Sequence, residues 1–333
     1  MRCSRNILSA GMGVAALCTV IVAIAVPAIA EDETIRIGMI GLDTSHATDF
    51  TAILNEGQVA GARVVAGVKQ FSPDIEYSAT NVDKYVELLT TKYGLELYDS
   101  VEDMLPHVDG VMVESVDGRP HLAQARPAIE AGKLVFVDKP MAASLADVIE
   151  MFQLARKHHT QVWSASNLRY HPGVVAARDA DIGELVSVFS HGPAPVEEHH
   201  PDLMWYGIHP VEAMFTVMGT GCETVQRTHT AGTDLITGTW QDGRIGCVMG
   251  MRAAQAAYSV KVFGTAGIVE HSAGGAYPEL LTEVVKFFRT GKPPVDEATT
   301  IEIFAFMEAA DESKRLGGTP VSIEETIAKH SNP

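Results

Sequence analysis

The stretch IRIGMIGLDTSHATDF, residues 35–50, sets a polar, hydrogen-bonding turn directly after an apolar strand. Strand, glycine, then helix is how a dinucleotide-binding unit begins, because glycines let the backbone approach a pyrophosphate at a helix N-terminus. That fingerprint needs three glycines spaced G-x-G-x-x-G. Gly41 holds the first slot; Asp43 and His46 hold the other two. Asp43 would set a carboxylate near phosphate charge, which is repulsive unless the side chain turns away. Thr44 and Ser45 offer hydroxyl donors, and Asp43, Thr44 and Ser45 are all good helix N-caps. The turn thus reads either as a cap or as a rebuilt phosphate site. Lys69, at the end of the next apolar run, also has two readings. An acid usually stands there to hold the ribose hydroxyls of NAD; a lysine would favour the 2′-phosphate of NADP or would simply be solvated.

A second chemical cluster is SHGPAPVEEHHPDLMWYGIHPVE, residues 190–212. It carries His191, Glu197, Glu198, His199, His200, Asp202, His209 and Glu212. Imidazole and carboxylate suit zinc or manganese, but no two histidines share His-x-x-x-His spacing on one helix and the stretch is proline-rich. A polar substrate loop is the expectation, and no metal site is assigned. Glu212 lies one helical turn after His209.

These groups need a frame. From residue 34 to about 165 the chain alternates strand and helix: TIRIGMI, a helix ending at Gly57, ARVVAGV, a helix over 82–93 stopping at Gly94, DGVMVES, a helix closed by Gly132, LVFVDKP, a helix capped by Ser144, then QVWSAS. Continuous apolar strands alternating with helices predict a doubly wound parallel sheet. Beyond residue 165, ELVSVFSHG, ETVQRTHT, DLITGTWQDGRIGCVMGMR and YSVKVFGTAGIVEH read as an open, mostly antiparallel sheet, with Asp242-Gly243 as a hairpin turn. A helix, GIHPVEAMFTVMG, is inserted, and two more close the chain. The fold class is α/β: an N-terminal Rossmann-type sheet plus a C-terminal α/β domain. His158 and His159 fit a helix C-terminus, and Trp163 and Trp240 fit the core.

The first thirty of 333 residues differ from the rest. Arg2 and Arg5, a long apolar run, and Ala-Ile-Ala ending at Ala30 before Glu-Asp-Glu read as a Sec-type secretory signal. The domains are then 1–30, 31–165 and 166–333, and the location periplasmic or secreted. Of 25 basic residues two fall in the signal, and none of the 42 acidic ones does, which leaves a mature charge of about −19. That argues against nucleic acid and anionic membrane as partners. Cys222 and Cys247 remain, as one disulfide or two buried thiols.

HLAQARPAIEAGKLVFVDKPMAASLADV, residues 121–148, with Asp138-Lys139-Pro140, resembles the signature region of the Gfo/Idh/MocA oxidoreductases. NLRYHP with Arg169, GIHPVE with His209, and IEIFAFMEAADESKRLGGTPVSI extend the resemblance in order across both halves. It implies NAD or NADP as cofactor, a small carbohydrate-like substrate, oligomer contacts through the C-terminal sheet, and an active site between the domains. There the motif lysine and the downstream histidine act on a hydroxyl that becomes a carbonyl. The expected site has Lys139, His209 and Glu212 as catalytic residues and Arg169, Tyr206 and His171 at the substrate. Gly41, Asp43, Thr44, Ser45, Lys69, Ser115, His121 and Asp138 are expected at the cofactor. His121 also reads as a helix cap. The family's Asp-x-Gly-x-His is here Trp205-Tyr-Gly-Ile-His209, so the carboxylate that would tune the histidine is missing. Two other functions share the scaffold: a cofactor-free carbohydrate-binding protein, and a non-redox lyase or hydrolase.

Overall fold

The computed structural model describes residues 33–331; the expected signal peptide lies outside the described residues. Six strands form a wholly parallel sheet: β1 (Ile35–Ile40), β2 (Ala62–Val68), β3 (Glu96–Tyr98), β4 (Gly110–Val113), β5 (Leu134–Val137) and β6 (Val162–Ser164). Their order is β3-β2-β1-β4-β5-β6. The order reverses between β1 and β4, and open α/β sheets take ligands at the carboxyl ends of the strands beside such a switch. The connecting helices are α1 (Ser45–Asn55), α2 (Glu76–Tyr93), α3 (Val101–Met104), α4 (His121–Glu130) and α5 (Leu145–Lys157). α2 begins six residues before the expected start, because the polar run EYSATN conceals a first turn whose Ser78 is buried. β3 escaped the sequence reading because it is three residues long and mostly exposed.

α6 (Pro172–Arg178) and β7 (Leu185–Pro193) lead into the second half, followed by α7 (Asp202–Tyr206) and α8 (Ile208–Met218). Then come β8 (Cys222–His229), β9 (Thr233–Trp240), β10 (Ile245–Met251), β11 (Tyr258–Gly264) and β12 (Ile268–Ala273). α9 (Tyr277–Thr290), α10 (Glu297–Arg315), β13 (Val321–Ser322) and α11 (Ile323–Ser331) complete the order. The sheet runs β12-β11-β7-β10-β9-β8-β13. It is antiparallel except where β10 lies parallel to β7. Asp242-Gly243 does turn β9 into β10, with Gly243 at φ 86°.

One packing feature matters for the site. α9 comes from the second half but lies on the first sheet. Its Leu280, Leu281, Val284, Phe287 and Phe288 share a core with Ile35, Ile37 and Met39 of β1 and Ala47, Phe50 and Leu54 of α1. Full burial of each such side chain is worth about 1.5–3 kcal/mol, so this seam fixes the start of α9, Tyr277, over the first turn of α1. Trp163 and Trp240 are core residues. Cys222 and Cys247 are separate thiols. Among the described residues no helix is long and apolar enough to cross a membrane.

Candidate active site

β1 ends at the turn Gly41–Thr44. Gly41 has φ 81°, and a Cβ there would collide with the hydroxyl and backbone of Ser115, after β4. Only glycine allows this close crossing. Thr44 is the N-cap of α1, its Oγ1 accepting from the His46 N–H at 3.3 Å. Asp43 caps nothing. Its carboxylate is fully buried and turned aside: Oδ2 accepts from the Ser78 hydroxyl at 2.5 Å and Oδ1 from the Val116 N–H at 3.2 Å. Burial pushes Asp43 above the usual carboxylate range despite those bonds.

The same ties continue outward. The Ser72 hydroxyl donates to Asp117 at 2.5 Å, and the Ser72 N–H donates to Ser78 Oγ at 2.8 Å. Arg119 donates to Asp117 and grips Asp74 through both terminal nitrogens at 2.8 and 2.9 Å. His200 Nε2 lies 4.0 Å from Asp117. The β1–α1, β2–α2 and β4–α4 connections are thereby laced together across the outer, β2-side half of the crevice. Lys69 stands apart, exposed and paired with Asp83 at 2.6 Å.

The inner half is built differently. Lys139 follows β5 and is buried, with Nζ 5.5 Å from the centre of the Tyr206 ring. The Tyr206 ring is 5.1 Å from that of His209. His209 lies on α8, with Nδ1 2.7 Å from Ser166 Oγ. Burial and the Lys139 ammonium hold His209 well below the ordinary imidazole range, so it is a neutral base. On the other side His46 Nδ1 meets Asp138 Oδ2 at 2.7 Å and Nε2 meets the Tyr277 hydroxyl at 3.0 Å. Burial alone would raise Asp138, but His46 and Lys139 hold it low. Glu114, at the end of β4, is fully buried and neither carboxylate oxygen has a hydrogen-bond partner. Burial, then its neighbour Asp138, push it well above the carboxylate range.

Several expected roles change. Glu212 does not touch His209. It accepts from Arg169 Nε at 2.6 Å and from the Ser166 N–H at 2.7 Å, a buried pair that positions Ser166 under His209. His121 does not face the crevice: it is fully buried, with Nδ1 2.9 Å from the Pro140 carbonyl and Nε2 2.8 Å from that of Ser115. Burial lowers its pKa, so one N–H serves one of those carbonyls and the other is left short. His171 caps α6, its Nδ1 accepting from the Gly173 N–H at 3.0 Å. Ser115 Oγ accepts from Gln124 at 2.8 Å. The cluster over 190–212 disperses: Asp202 pairs with Arg227 and Lys314, His199 with Glu197, and His200 packs on Trp205. Sequence reasoning missed Glu114 and Tyr277. A glutamate ending a central parallel strand was a signal available for the first.

Residues 35–166 match the profile of the GFO_IDH_MocA family, described as "Oxidoreductase family, NAD-binding Rossmann fold". Over those residues the chain is similar to that family. The uncharacterized oxidoreductase YhhX of Escherichia coli (strain K12) is 33% identical over 111 residues, 30% of this chain and 32% of YhhX. The uncharacterized oxidoreductase YrbE of Bacillus subtilis (strain 168) is 26% identical over 207 residues, 55% of this chain and 59% of YrbE. The chain thus spans between a third and three-fifths of these two curated relatives. Among solved structures, a probable dehydrogenase from Thermotoga maritima superposes with a TM-score of 0.73 at 21% identity, covering 87% of this chain and 99% of that one. Myo-inositol dehydrogenase from Lactobacillus casei, solved with NAD(H) and myo-inositol, gives 0.71 at 18%, covering 87% and 96%. At such identities the likeness is one of fold.

The donor set decides how a dinucleotide suits the parallel-sheet half. The inner half fits: Asp43 turns to Ser78 and Val116 rather than to the α1 N-terminus, and Lys139 and His209 both lie against the Tyr206 ring. The outer half carries the Ser72–Asp117 and Arg119–Asp74 ties in place of free donors.

Proposed function

We propose that the protein is an exported NAD- or NADP-dependent oxidoreductase that interconverts a hydroxyl and a carbonyl on a sugar, polyol or derivative. The observation that carries this is the buried pair at the crevice floor. Among the described residues Lys139 has no carboxylate within ion-pair reach, and His209 beside it is held neutral. A free ammonium polarises an oxygen and stabilises developing negative charge. A neutral imidazole accepts the hydroxyl proton as the carbon is oxidised. When bound, the nicotinamide supplies the hydride acceptor. Thr44, Ser45 and the first N–H groups of α1 would hold its phosphates, and Tyr206 would lie along one side of the substrate. Arg169, neutralised by Glu212, acts through Ser166 and His209. The bare apolar residues Ile245 and Ile268, aligned through Ser187 and Phe263 on the second sheet, support self-association through that face.

A second reading is a lyase or hydrolase using the same Lys139 and His209 without nicotinamide. The laced outer half favours it. Calorimetry of the mature protein with NAD and NADP, combined with hydrogen exchange over residues 72–78 and 115–120, separates the two. Binding with faster exchange at both segments is expected. No binding of either nucleotide removes the oxidoreductase reading and leaves the second. A positive result is followed by a screen of inositols and hexoses for nicotinamide reduction.

A further inference from the structure

We infer that His46, Glu114 and Asp138 form a binding site for one divalent transition-metal ion, of the zinc or manganese class. They come from three separate segments, the first turn of α1 and the ends of β4 and β5. Each offers one ligand atom, and those atoms all lie within 4.8 Å of one another. All three residues are buried. One imidazole and two carboxylates form a donor set suited to zinc or manganese. The inference does not depend on the nicotinamide reading.

The second observation is what the cluster lacks. Both oxygens of Glu114 and Oδ1 of Asp138 are buried without a hydrogen-bond partner. Buried carboxylate oxygens are almost always satisfied, so three orphans in one place call for a missing partner. Lys139 does not supply it, since its Nζ lies over the Tyr206 ring and makes no ion pair among the described residues. His46 Nδ1 and Asp138 Oδ2, now hydrogen-bonded at 2.7 Å, need to part only slightly to share an ion that bonds each at about 2.1 Å. His46 Nε2 would then carry the proton and donate to the Tyr277 hydroxyl, now 3.0 Å away. A ligating histidine generally makes such an outer bond. Three protein ligands leave positions open for water or a substrate oxygen, which is the pattern of catalytic ions.

The test uses the full mature chain. Protein stripped with EDTA is titrated with Mn²⁺ and with Zn²⁺ by calorimetry, and bound Mn²⁺ is examined by electron paramagnetic resonance. One ion per chain is expected, with nitrogen coupling from His46. Glu114→Gln should weaken binding at least tenfold, and Tyr277→Phe, which leaves all three ligands in place, by about tenfold or more. A flat titration with both ions, or a Glu114→Gln protein that binds as tightly as wild type, overturns the site. Should Glu114→Gln not fold, unchanged binding by Tyr277→Phe together with absent nitrogen coupling overturns it too. None of these readouts involves nucleotide, so failure here leaves the oxidoreductase reading standing, and the reverse holds.

Discussion

The two halves of the crevice hold similar groups and treat them in opposite ways. In the outer half Asp43, Asp117 and Asp74 meet Ser78, Ser72, Val116 and Arg119, and their hydrogen bonds lace three loops together. In the inner half Glu114 has no hydrogen-bond partner, Asp138 has one oxygen satisfied, and Lys139 makes no ion pair among the described residues. A satisfied buried network rigidifies; an unsatisfied one costs stability and persists where something else must bind. The outer half is therefore held as structure, and the inner half keeps the unsatisfied groups.

Removing Lys139 should break that contrast most visibly. Lys139→Met is expected to lower the turnover of any substrate found in the screen by about two to four orders of magnitude, as loss of a positioned proton-transfer or charge-stabilising group does. Thermal unfolding is measured beside it, because Lys139 also helps hold Asp138 ionised, and a loss of stability is thereby separated from a loss of chemistry. A fall of less than tenfold would move the chemistry away from the inner half.

Asp43→Gly should act in the other currency. It strands the Ser78 hydroxyl and the Val116 N–H, and an unpaired buried donor costs about 1–3 kcal/mol. Unfolding by urea should show that loss. The loop reading GLDTSH predicts tighter nucleotide binding once the carboxylate is gone. The structure reverses this, because Asp43 points away from the helix terminus. Calorimetry with NAD should find affinity unchanged or weaker; tighter binding would return Asp43 to the phosphate site.

Asp117 sharpens the comparison through pH. Burial would raise it, but bonds from Arg119 and Ser72 win and hold it below its ordinary value. A depressed folded-state pKa contributes stability above the unfolded value, about 3.9, and loses it as pH falls through the folded one. Wild type should therefore lose stability below about pH 4, and Asp117→Asn should be weaker at neutral pH yet lose less on acidification. Urea melts at several pH values check both. Parallel curves for the two proteins would show that Asp117 is not held ionised by the network.

Much of this frame was legible. Alternating apolar strands and helices specify the parallel sheet, and short local motifs mark Lys139 and His209. The partners were not legible, because each depends on a distant segment. Asp43 turns aside for Ser78, 35 residues on. His46 meets Tyr277, 231 residues away, which an apolar seam under α9 brings into place. Glu212 looked like a partner for His209 by helical spacing, yet Arg169 reaches it first. The proline-rich histidine cluster drew attention that its dispersal does not support, while Glu114 was hidden at the end of an otherwise apolar strand.

The smallest expected effect is the most local test of the inner half. His209 is kept neutral by burial first and by Lys139 second. Both favour the uncharged ring, so its pKa lies well below 6.5. Lys139→Met removes the second cause and leaves the first. The ring should then titrate at higher pH than in wild type, and still below the ordinary value, because burial remains. Nitrogen-detected NMR of the imidazole, compared between wild type and Lys139→Met, reads this directly without any substrate. Tyr206→Leu is the companion. It removes the ring between the two groups without removing the charge, so His209 should stay low while Lys139 loses its cation–π contact. If His209 titrates normally in wild type, or if Lys139→Met leaves it unmoved, the two groups are not electrostatically coupled, and the acid–base pair assigned to the inner half has to be abandoned.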